Sequence, residues 1–304
     1  MAQKNIWLKK MARYVRTINH VLCSDEKYLK RKYKKEKGKE ADLDSPRDFS
    51  EKLLFLMLHY RNPLENLCAD KYYVQEYVKA CGYGNILKKI YGVYRNANDI
   101  DFRKLPDEFF IKTNHVSGNN KIVKKVDNPN YKYLRKFYAE VLKLNYYFDC
   151  REWVYDRIRP MVICEEVLRD KNGNLPIDYK FYCFGGEMKY FMVSCGEFEH
   201  QVRNHKFDRA LHSIDYHFKK MSTLSEEEAR SNLPDNIDDM FKIVDRLCKP
   251  FPHVRVDLYN VDGKIYFGEL TFFSSGGIVN IYDRDYDQKI ASWIDLTQYK
   301  DDMV

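Results

Sequence analysis

Near the C-terminus, acidic and basic side chains alternate along one strand of a predicted hairpin. Arg255 and Asp257 point to the same face, because successive side chains of a strand alternate between its faces. A two-residue turn at Asp262-Gly263 pairs Asp257 with Gly268, whereas an odd-length loop with a bulge places Asp257 opposite Glu269. In the second register, two carboxylates and an arginine share one surface, which suits Mg²⁺ and phosphate chemistry. A solvated strand face is the alternative.

A lysine followed by a loop of small residues forms a second candidate site. Lys112 ends a predicted strand, and the loop over residues 113–120 contains Ser117-Gly118. Small residues let backbone N–H groups approach phosphate oxygens, and a lysine adds a point charge. The spacing is not that of a Walker A loop, and an ordinary turn is the alternative. His115 in this loop is either a base or, as is more common for a lone histidine, a structural hydrogen-bonding residue.

A third candidate is the short, mostly apolar strand predicted over residues 161–166, which runs into the segment 165–168. A strand that ends in this way can present backbone hydrogen-bonding groups to an adenine edge. On these residues alone, a core strand that ends in surface acids is the favoured interpretation.

Helices and strands that would position these residues are spread over the chain. The apolar patterns predict helices over residues 48–60, 70–81, 131–144 and 237–248, and strands over residues 83–94, 109–112, 121–124, 161–166, 179–184, 188–193, 254–260 and 265–270. The polar residues 196–235 are predicted to be loop-like. This mixture of helices and hairpins indicates an α+β fold.

The basic charge is concentrated at the N-terminus. The 304-residue chain has a formal net charge of +7, and residues 1–40 contain 13 Lys and Arg against 4 Asp and Glu. Apolar residues recur at helical spacing over residues 7–22, before the densest basic stretch. The slightly favoured interpretation is a helix packed on the protein and a solvated charge run. The alternative is a surface for anionic lipid or an anionic polymer. No nucleic-acid motif accompanies the charge.

Composition excludes several classes of protein. Hydrophobic residues make up 44% of the chain, too many for a disordered protein, yet no apolar run is long enough to cross a bilayer. No cleaved signal peptide is recognisable. The eight cysteines are scattered without a C-x-x-C pair or zinc spacing, which predicts reduced thiols in a cytoplasmic protein.

Taken in order, these segments resemble an ATP-grasp enzyme over residues 45–295. The likeness rests on Asp70-Lys71 opening a helix, Lys112 with Ser117-Gly118, the segment 164–168, and the two strands of the last hairpin. It is greatest to the TupA-like ATP-grasp proteins of teichuronopeptide and surface-polysaccharide biosynthesis. The stretches that carry this closer likeness are residues 46–53, 112–118, 178–184 and 254–271.

The resemblance implies an ATP-grasp fold in which two α+β subdomains enclose ATP, with a helical basic N-terminal extension. We expect the extension at residues 1–44, the N-terminal part and the small subdomain at 45–160, and the C-terminal subdomain with the metal-binding hairpin at 161–304.

The resemblance also implies roles for single residues. Those that would hold ATP are Lys71, Lys112, Ser117, Gly118, Glu165, Glu166, Val167, Leu168, Asp178 and Lys180. Those that would bind Mg²⁺ are Asp257, Glu269 and Thr271, the last standing where many ATP-grasp ligases have asparagine. Arg255 and Lys112 would act in catalysis. Substrate contacts are expected at Arg203, His205, Arg209, Ser274, Ser275 and Gly276, with a solvated loop as an equal alternative for the first three.

The activity implied by the resemblance is ATP-dependent ligation of a carboxylate to an amine through an acyl phosphate. The branch suggests a uronic acid of a capsular or other surface polysaccharide, or its nucleotide-linked precursor, and an amino acid or amino alcohol as the amine. The expected location is the cytoplasm or the inner face of the membrane. Alternatives are a sugar kinase and a non-catalytic nucleotide-binding scaffold. A glycosyltransferase ranks lowest, because no Asp-x-Asp motif stands near a nucleotide-sugar fold.

Overall fold

The computed structural model describes residues 15, 17–18, 20–196, 202–218 and 223–303. Helices with defined ends in these residues are α1 (Asp25–Lys37), α2 (Phe49–His59), α3 (Pro63–Ala69), α4 (Val74–Ala80), α5 (Tyr131–Val141), α6 (Tyr147–Cys150), α7 (Glu226–Ser231), α8 (Ile237–Cys248) and α9 (Arg284–Ser292). Strands are β1 (Ile90–Tyr94), β2 (Glu108–Thr113), β3 (Lys121–Lys124), β4 (Val162–Glu165), β5 (Asp178–Phe184), β6 (Glu187–Cys195), β7 (Arg203–Asp208), β8 (His253–Val261) and β9 (Lys264–Thr271).

The chain divides into two compact units that interleave along the sequence. Unit 1 comprises Met1–Leu29, Asn66–Gln75 and Lys88–Val167, and unit 2 comprises Lys30–Glu65, Glu76–Leu87 and Leu168–Val304. These units differ from the three consecutive segments expected from the sequence. The physical reason is strand pairing, because β4 hydrogen-bonds to β1 and β2 and so belongs with the residues before it.

Unit 1 is built on a four-stranded antiparallel sheet in the order β1-β4-β2-β3. One face of this sheet is apolar, and its Phe109 and Ile111 are fully buried in a core with Phe137 and Tyr138 of α5. The alternation of strand residues sends Lys112 to the other face. The apolar core thus holds β2 in place while one of its charged side chains stays outside that core.

Unit 2 is built on a five-stranded antiparallel sheet in the order β7-β6-β5-β8-β9. The amphipathic helix α8 covers one face, where the Phe241 ring lies 6.1 Å from that of Phe181 and 5.7 Å from that of Phe191. The opposite face carries charged and aromatic side chains, including Lys180 and Asp257.

A bulge in the β8–β9 hairpin decides which residues face each other. The turn is the short one, since Val261 pairs with Lys264 across Asp262-Gly263, yet Asp257 still pairs with Glu269. The register shifts between Asp257 and Leu258, and Gly268 on β9 is the extra residue. Of the two pairings left open by the sequence, the structure has the one that places Asp257 opposite Glu269, although a bulge within the strand produces it instead of an odd-length loop.

Most predicted elements form near their expected bounds, with three exceptions. The strand expected over residues 83–94 is wrong in its first half, which contains a 3₁₀ turn at Gly84–Ile86. The helix expected from residue 70 begins at Val74, because the Asp70 carboxylate accepts the backbone N–H groups of Tyr72 and Tyr73 in a turn. Residues 196–235 are not all loop, since β7 and α7 lie within them.

The densest basic stretch lies on α1, and this helix packs on the protein. Tyr33 is fully buried, and its hydroxyl donates to the Asp48 carboxylate at 2.5 Å. Lys34 and Lys35 on the same helix are exposed. The charge run thus forms a packed helix of its own, whereas the favoured interpretation placed the packed helix at residues 7–22 and left the charge run solvated.

The apolar helical pattern that precedes α1 is only partly described. Its residues Trp7, Met11 and Tyr14 lie outside the described residues, whereas Val15, Ile18 and Leu22 are 60%, 43% and 78% exposed. Among the described residues, none of the helices has both the length and the apolar character needed to cross a membrane.

Candidate functional site

In unit 2, the hairpin gathers an arginine, two carboxylates and a hydroxyl. The Arg255 guanidinium donates to both carboxylate oxygens of Asp257 at 2.6 Å. It also donates to Glu269 at 3.3 Å and to the Thr271 hydroxyl at 3.2 Å, and that hydroxyl donates to Glu269 at 3.2 Å. All four side chains predicted for metal binding and catalysis on this hairpin therefore lie in one hydrogen-bonded group, called here the hairpin cluster.

Burial sets the electrostatics of the hairpin cluster. Burial raises the pKa of Asp257 above its ordinary value, although Arg255 and Lys180 act in the opposite direction. For Arg255, burial acts to lower the pKa, but the Asp257 carboxylate outweighs it and the pKa rises well above the usual range. The arginine is thus always charged.

The hairpin cluster offers two carboxylates and one hydroxyl to Mg²⁺, which is fewer ligands than the ion needs from the protein alone. Asp257 and Glu269 face each other on adjacent strands, and Thr271 adds a hydroxyl. Within the described ranges, no group of three or more His, Cys, Asp or Glu side chains could hold a metal ion by itself. Mg²⁺ in phosphate-transfer sites needs only one or two carboxylates, since phosphate oxygens and water fill the remaining positions. Asp257 and Glu269 supply that number.

Two further predicted residues lie beside this group on β5. Lys180 pairs across the strands with Asp257, and its ammonium contacts the Asp178 carboxylate. Tyr182, which the sequence analysis did not single out, pairs with Arg255 and stacks on Tyr190 with ring centroids 4.5 Å apart. The polar face of unit 2 therefore brings together Asp178, Lys180 and the hairpin cluster.

In unit 1, two lysines share one buried glutamate. The Glu165 carboxylate accepts from Lys112 at 2.7 Å and forms an ion pair with Lys88 at 2.8 Å. Although burial acts against it, these lysines lower the pKa of Glu165 to about 2. Burial lowers the pKa of Lys112 to about 8, with the Lys88 charge acting in the same direction. The group carries one excess positive charge.

Lys71 lies on the turn before α4, close to the loop that follows β2. Its backbone N–H donates to the Asn114 carbonyl at 3.2 Å, and the Asn114 side chain donates to Asp70 at 2.8 Å. The Lys71 ammonium lies 5.9 Å from the centre of the Tyr155 ring. Asn114 therefore connects the two predicted lysine segments of unit 1.

The predicted phosphate loop has an exposed tip and a buried base. Ser117 and Gly118 are exposed, and Gly118 has a φ of 74°, which favours glycine. His115 is buried, and burial lowers its pKa to about 4. Backbone groups of Val141 and Leu144 act to raise this pKa but do not offset the burial. His115 is thus neutral and enclosed, which does not suit a base that must meet a solute.

The family of this chain is decided by its sequence. A model described as TupA-like ATPgrasp matches residues 51–294, most of the chain. The chain belongs to this family. The resemblance and the α+β ATP-grasp fold expected from the sequence are thereby confirmed. No curated protein matches the sequence.

Solved ATP-grasp ligases show distant similarity. PsnB complexed with a minimal precursor is 11% identical, with a TM-score of 0.41, over 78% of this chain and 63% of PsnB. D-alanine–D-alanine ligase from Bacillus anthracis complexed with ATP is 16% identical, with a TM-score of 0.41, over 82% of this chain and 72% of that one. The Helicobacter pylori ligase of the same name is 12% identical, with a TM-score of 0.42, over 82% and 69%. The match thus spans less than two thirds of PsnB.

The segment expected to hold adenine in this ATP-grasp chain is only partly available. The Glu165 side chain is occupied by lysines, and the Glu166 backbone N–H donates to the Lys89 carbonyl at 2.9 Å. The Glu166 carboxylate also accepts the Lys89 backbone N–H at 2.7 Å. The backbone groups of Val167 and Leu168 make no hydrogen bond with the residues that the structure describes. They remain the candidates for backbone recognition.

Three predicted substrate residues do not join the polar face of unit 2. Arg203 and His205 lie on the same face of β7 as Phe207, which is the face covered by α8. Lys206 points to the opposite face. His205 is buried, and its Nε2 lies 2.8 Å from the Ser213 hydroxyl. Arg203 pairs with Glu228 at 3.0 Å. The structure therefore gives both residues internal partners.

The third of them, Arg209, is held by α8. Its guanidinium donates to both oxygens of Asp245 at 2.8 and 2.7 Å. Lys206 instead lies on the polar face, where it donates to Asp215 at 2.9 Å. Lys206 could not be predicted from the sequence, because strand alternation does not apply in a segment interpreted as loop. Lys88 could not be predicted either, because a lysine just before a strand carries no signal of its own.

The remaining substrate residues form a tight turn directly after β9. Ser274–Gly277 is a 3₁₀ turn with positive φ angles at its last three residues. The Ser274 hydroxyl is buried and has no hydrogen-bond partner among the described residues. This turn lies in the same unit as the hairpin cluster and only three residues beyond Thr271.

Proposed function

We propose that this protein is an ATP-dependent, ADP-forming ligase that joins a carboxylate to an amine. The observation that carries the proposal is the hairpin cluster, which falls inside the region matched by the TupA-like ATP-grasp family. Arg255, Asp257 and Glu269 are the residue types that phosphoryl transfer to a carboxylate requires, and the hairpin places both carboxylates within hydrogen-bond distance of Arg255.

The hairpin cluster has two proposed roles. Asp257 and Glu269 would hold Mg²⁺, with Thr271 as a weaker or water-mediated ligand. When bound, Mg²⁺ offsets the negative charge of the phosphate groups. Arg255 lies between the carboxylates as a permanent cation, so it would stabilise charge on the phosphoryl group in transfer. Single electrostatic groups of this kind contribute about 3–4 kcal/mol to transition states.

In unit 1, Lys112 and Lys71 are proposed to bind ATP phosphates. The excess positive charge of the Lys112, Lys88 and Glu165 group supports this role, because the buried glutamate orients Lys112 without cancelling both lysines. The exposed Ser117-Gly118 tip would offer backbone N–H groups to phosphate oxygens. Lys180 on β5 would contact phosphate, and Asp178 the ribose.

The proposed reaction has two steps. The substrate carboxylate attacks the γ-phosphorus of ATP, so that the bond to the β-phosphate oxygen breaks and an acyl phosphate and ADP form. The amine then attacks the acyl carbon and loses a proton, and inorganic phosphate leaves with the amide formed. Positive charge close to the developing oxyanion lowers the barrier of the second step.

The substrate class follows from the branch of the family that this chain resembles. We propose a uronic acid of a surface polysaccharide, or its nucleotide-linked precursor, as the carboxylate and an amino acid or amino alcohol as the amine. Work on a membrane-linked polymer would suit a cytoplasmic protein at the inner membrane face. The exposed lysines of α1 are compatible with such a location.

The test is release of ADP and phosphate from Mg-ATP with a nucleotide-linked uronic acid and either hydroxylamine or a pool of amines. A hydroxamate or amide formed together with ADP supports the ligase. ADP with a stable phosphosugar and no amine requirement replaces it with a kinase. If nothing turns over, thermal unfolding with and without Mg-ATP separates a wrong acceptor from a protein that does not use ATP, for which no stabilisation is expected.

A further inference from the structure

The turn Ser274–Gly277 has a conformation that the chain does not adopt without support. Ser275, Gly276 and Gly277 have φ angles of 55°, 62° and 81°. The left-handed conformation of the non-glycine Ser275 costs about 1 kcal/mol or more, and such residues persist where their surroundings hold them. Neighbouring elements of unit 2 must therefore hold this turn in place.

Helix α2 supports the turn from one side. A Cβ atom on Gly277 would lie 2.7 Å from the Met57 sulfur and 3.0 Å from Leu54 Cδ2, so the backbone sits directly on this helix. Ser50 exchanges hydrogen bonds with both backbone groups of Val279, at 3.0 and 3.2 Å. The turn is thus packed against α2 and tied to it at its end.

Two lysines of α1 donate to carbonyl groups in the turn and directly after it. The Lys32 ammonium donates to the Gly276 carbonyl at 2.9 Å, and the Lys37 ammonium donates to the Val279 carbonyl at 2.5 Å. Hydrogen bonds from charged donors are about twice as strong as neutral ones. Because α1 precedes the matched residues 51–294, this support comes from outside the region that defines the family.

The Lys32 contact also bears on binding at the turn. The Gly276 carbonyl belongs to the same peptide group as the Gly277 N–H, and a cation on a carbonyl polarises the N–H as a donor. The N–H groups of a 3₁₀ turn are used within the turn, so Lys32 strengthens the turn itself. The buried Ser274 hydroxyl has no hydrogen-bond partner among the described residues. This hydroxyl remains available to a polar group of a substrate.

We propose that Lys32 is a positioning residue, which holds the left-handed turn at Ser275–Gly277 and thereby keeps the Ser274 hydroxyl in place for the acceptor substrate. Lys32 belongs to unit 2 and differs from the exposed lysines of α1, because its ammonium donates to the Gly276 carbonyl. The role in acceptor binding rests on the proposed ligase function. The role in holding the turn does not.

The test compares Lys32→Met with Lys32→Arg and with Lys34→Met, whose lysine pairs with Glu40 on the exposed side of α1. Amide hydrogen exchange over residues 274–279 and steady-state kinetics are measured on the full chain. We expect Lys32→Met to speed exchange in the turn and to raise the KM for the carboxylate or the amine about 10-fold, with the KM for ATP unchanged. Lys32→Arg should restore most of both, and Lys34→Met should match the wild type.

Several outcomes overturn the proposal. Unchanged exchange in folded Lys32→Met shows that the turn does not depend on this contact. Faster exchange with unchanged KM values for all substrates reduces the contact to a structural one. If Lys34→Met behaves like Lys32→Met, the effect is one of general charge. If the wild-type protein makes no amide, the proposed function fails, and hydrogen exchange alone still decides whether Lys32 holds the turn.

Discussion

Asp257 and Arg255 illustrate how a single buried pair can be both a structural and a functional feature. Charges removed from water are costly unless they are paired and hydrogen-bonded, and here Arg255 donates to both oxygens of Asp257. Glu269 and Thr271 lie beside this pair and accept longer hydrogen bonds from Arg255. Asp257, which we propose as a Mg²⁺ ligand, is thus held by a neighbouring cation in this structure.

We expect Asp257→Asn to reduce Mg²⁺-dependent ADP release at least about 100-fold, since removing one electrostatic group costs that much in comparable sites. The fold should survive, because the amide oxygen still accepts from Arg255 and Glu269 retains a counter-charge. The measurement is ADP release against Mg²⁺ concentration, with cooperative unfolding followed by circular dichroism. The exposed Asp239→Asn serves as control. Unchanged Mg²⁺ dependence in Asp257→Asn would rule out Asp257 as a metal ligand.

Glu165 is the residue on which the lysine group of unit 1 depends. Glu165→Gln leaves Lys112 and Lys88 without their counter-charge, so the free energy of unfolding should fall by about 3 kcal/mol. The lysines hold the folded-state pKa of Glu165 at about 2, below its ordinary 4.5. Its stabilisation is therefore complete above pH 4.5 and is lost as the pH falls toward 2.

Urea unfolding of wild type and Glu165→Gln at pH 6, 4 and 3 tests this. The difference in free energy of unfolding should be largest at pH 6 and should shrink with acidification. Glu187→Gln, in which an exposed ion pair with Lys189 is broken, should differ little from the wild type at any pH. A difference that stays constant from pH 6 to pH 3 would contradict the assigned pKa.

At the scale of elements, the β8–β9 hairpin depends on one glycine. A Cβ atom on Gly268 would lie 2.7 Å from the Asp257 carbonyl oxygen, which is backbone and cannot move aside cheaply. Gly268→Ala should cost about 1–3 kcal/mol of stability through this clash. It should also lower Mg²⁺-dependent activity, because the bulge keeps Asp257 opposite Glu269.

Gly263→Ala in the turn of the same hairpin is the matched control. Gly263 has a φ of 87° and nothing within 4 Å of its missing Cβ, so alanine there should cost about 1 kcal/mol of backbone strain without moving the register. Thermal unfolding and ADP release are measured on both variants. Equal losses of activity at equal stability would mean that the bulge does not position the carboxylates.

At the scale of the whole molecule, the main point to test is whether the N-terminal region is needed for folding. Tyr33 is fully buried and bonded to Asp48, and Lys32 and Lys37 hold the turn after β9. We expect deletion of residues 1–40 to destabilise or unfold the protein, because it removes these contacts. Deletion of residues 1–14 removes none of them and should leave cooperative unfolding intact.

Circular dichroism and thermal unfolding of the two deletions decide this point. If the protein without residues 1–40 unfolds at the same temperature as the wild type, α1 does not contribute to the stability of the fold. The interpretation of the basic residues as a surface for anionic lipid or polymer would then be favoured. If only this larger deletion unfolds early, any membrane or polymer contact of the basic stretch is additional to its role in the fold.

Local patterns in the sequence were enough for the α+β class, for most strands and four of the nine helices that the structure describes, and for the family. Periodic apolar residues and turn residues act over a few positions, so they are legible without a structure. Counting residues from the predicted turn also limited the cross-strand partner of Asp257 to two residues, one of which was Glu269. The types of residue in the candidate site were therefore predictable, whereas their hydrogen bonds were not.

Tertiary structure alone decided what depends on distant partners. The strand β4 joins the sheet of unit 1 through hydrogen bonds to β1 and β2, and no local signal specifies such a pairing. The strand β7 forms in a polar segment because β6 supplies its hydrogen bonds and a buried position for Phe207. The contact of Lys32 with the Gly276 carbonyl joins residues 244 positions apart. Each of these features comes from burial and hydrogen bonding between segments that are remote in the chain, and only the folded protein brings such segments together.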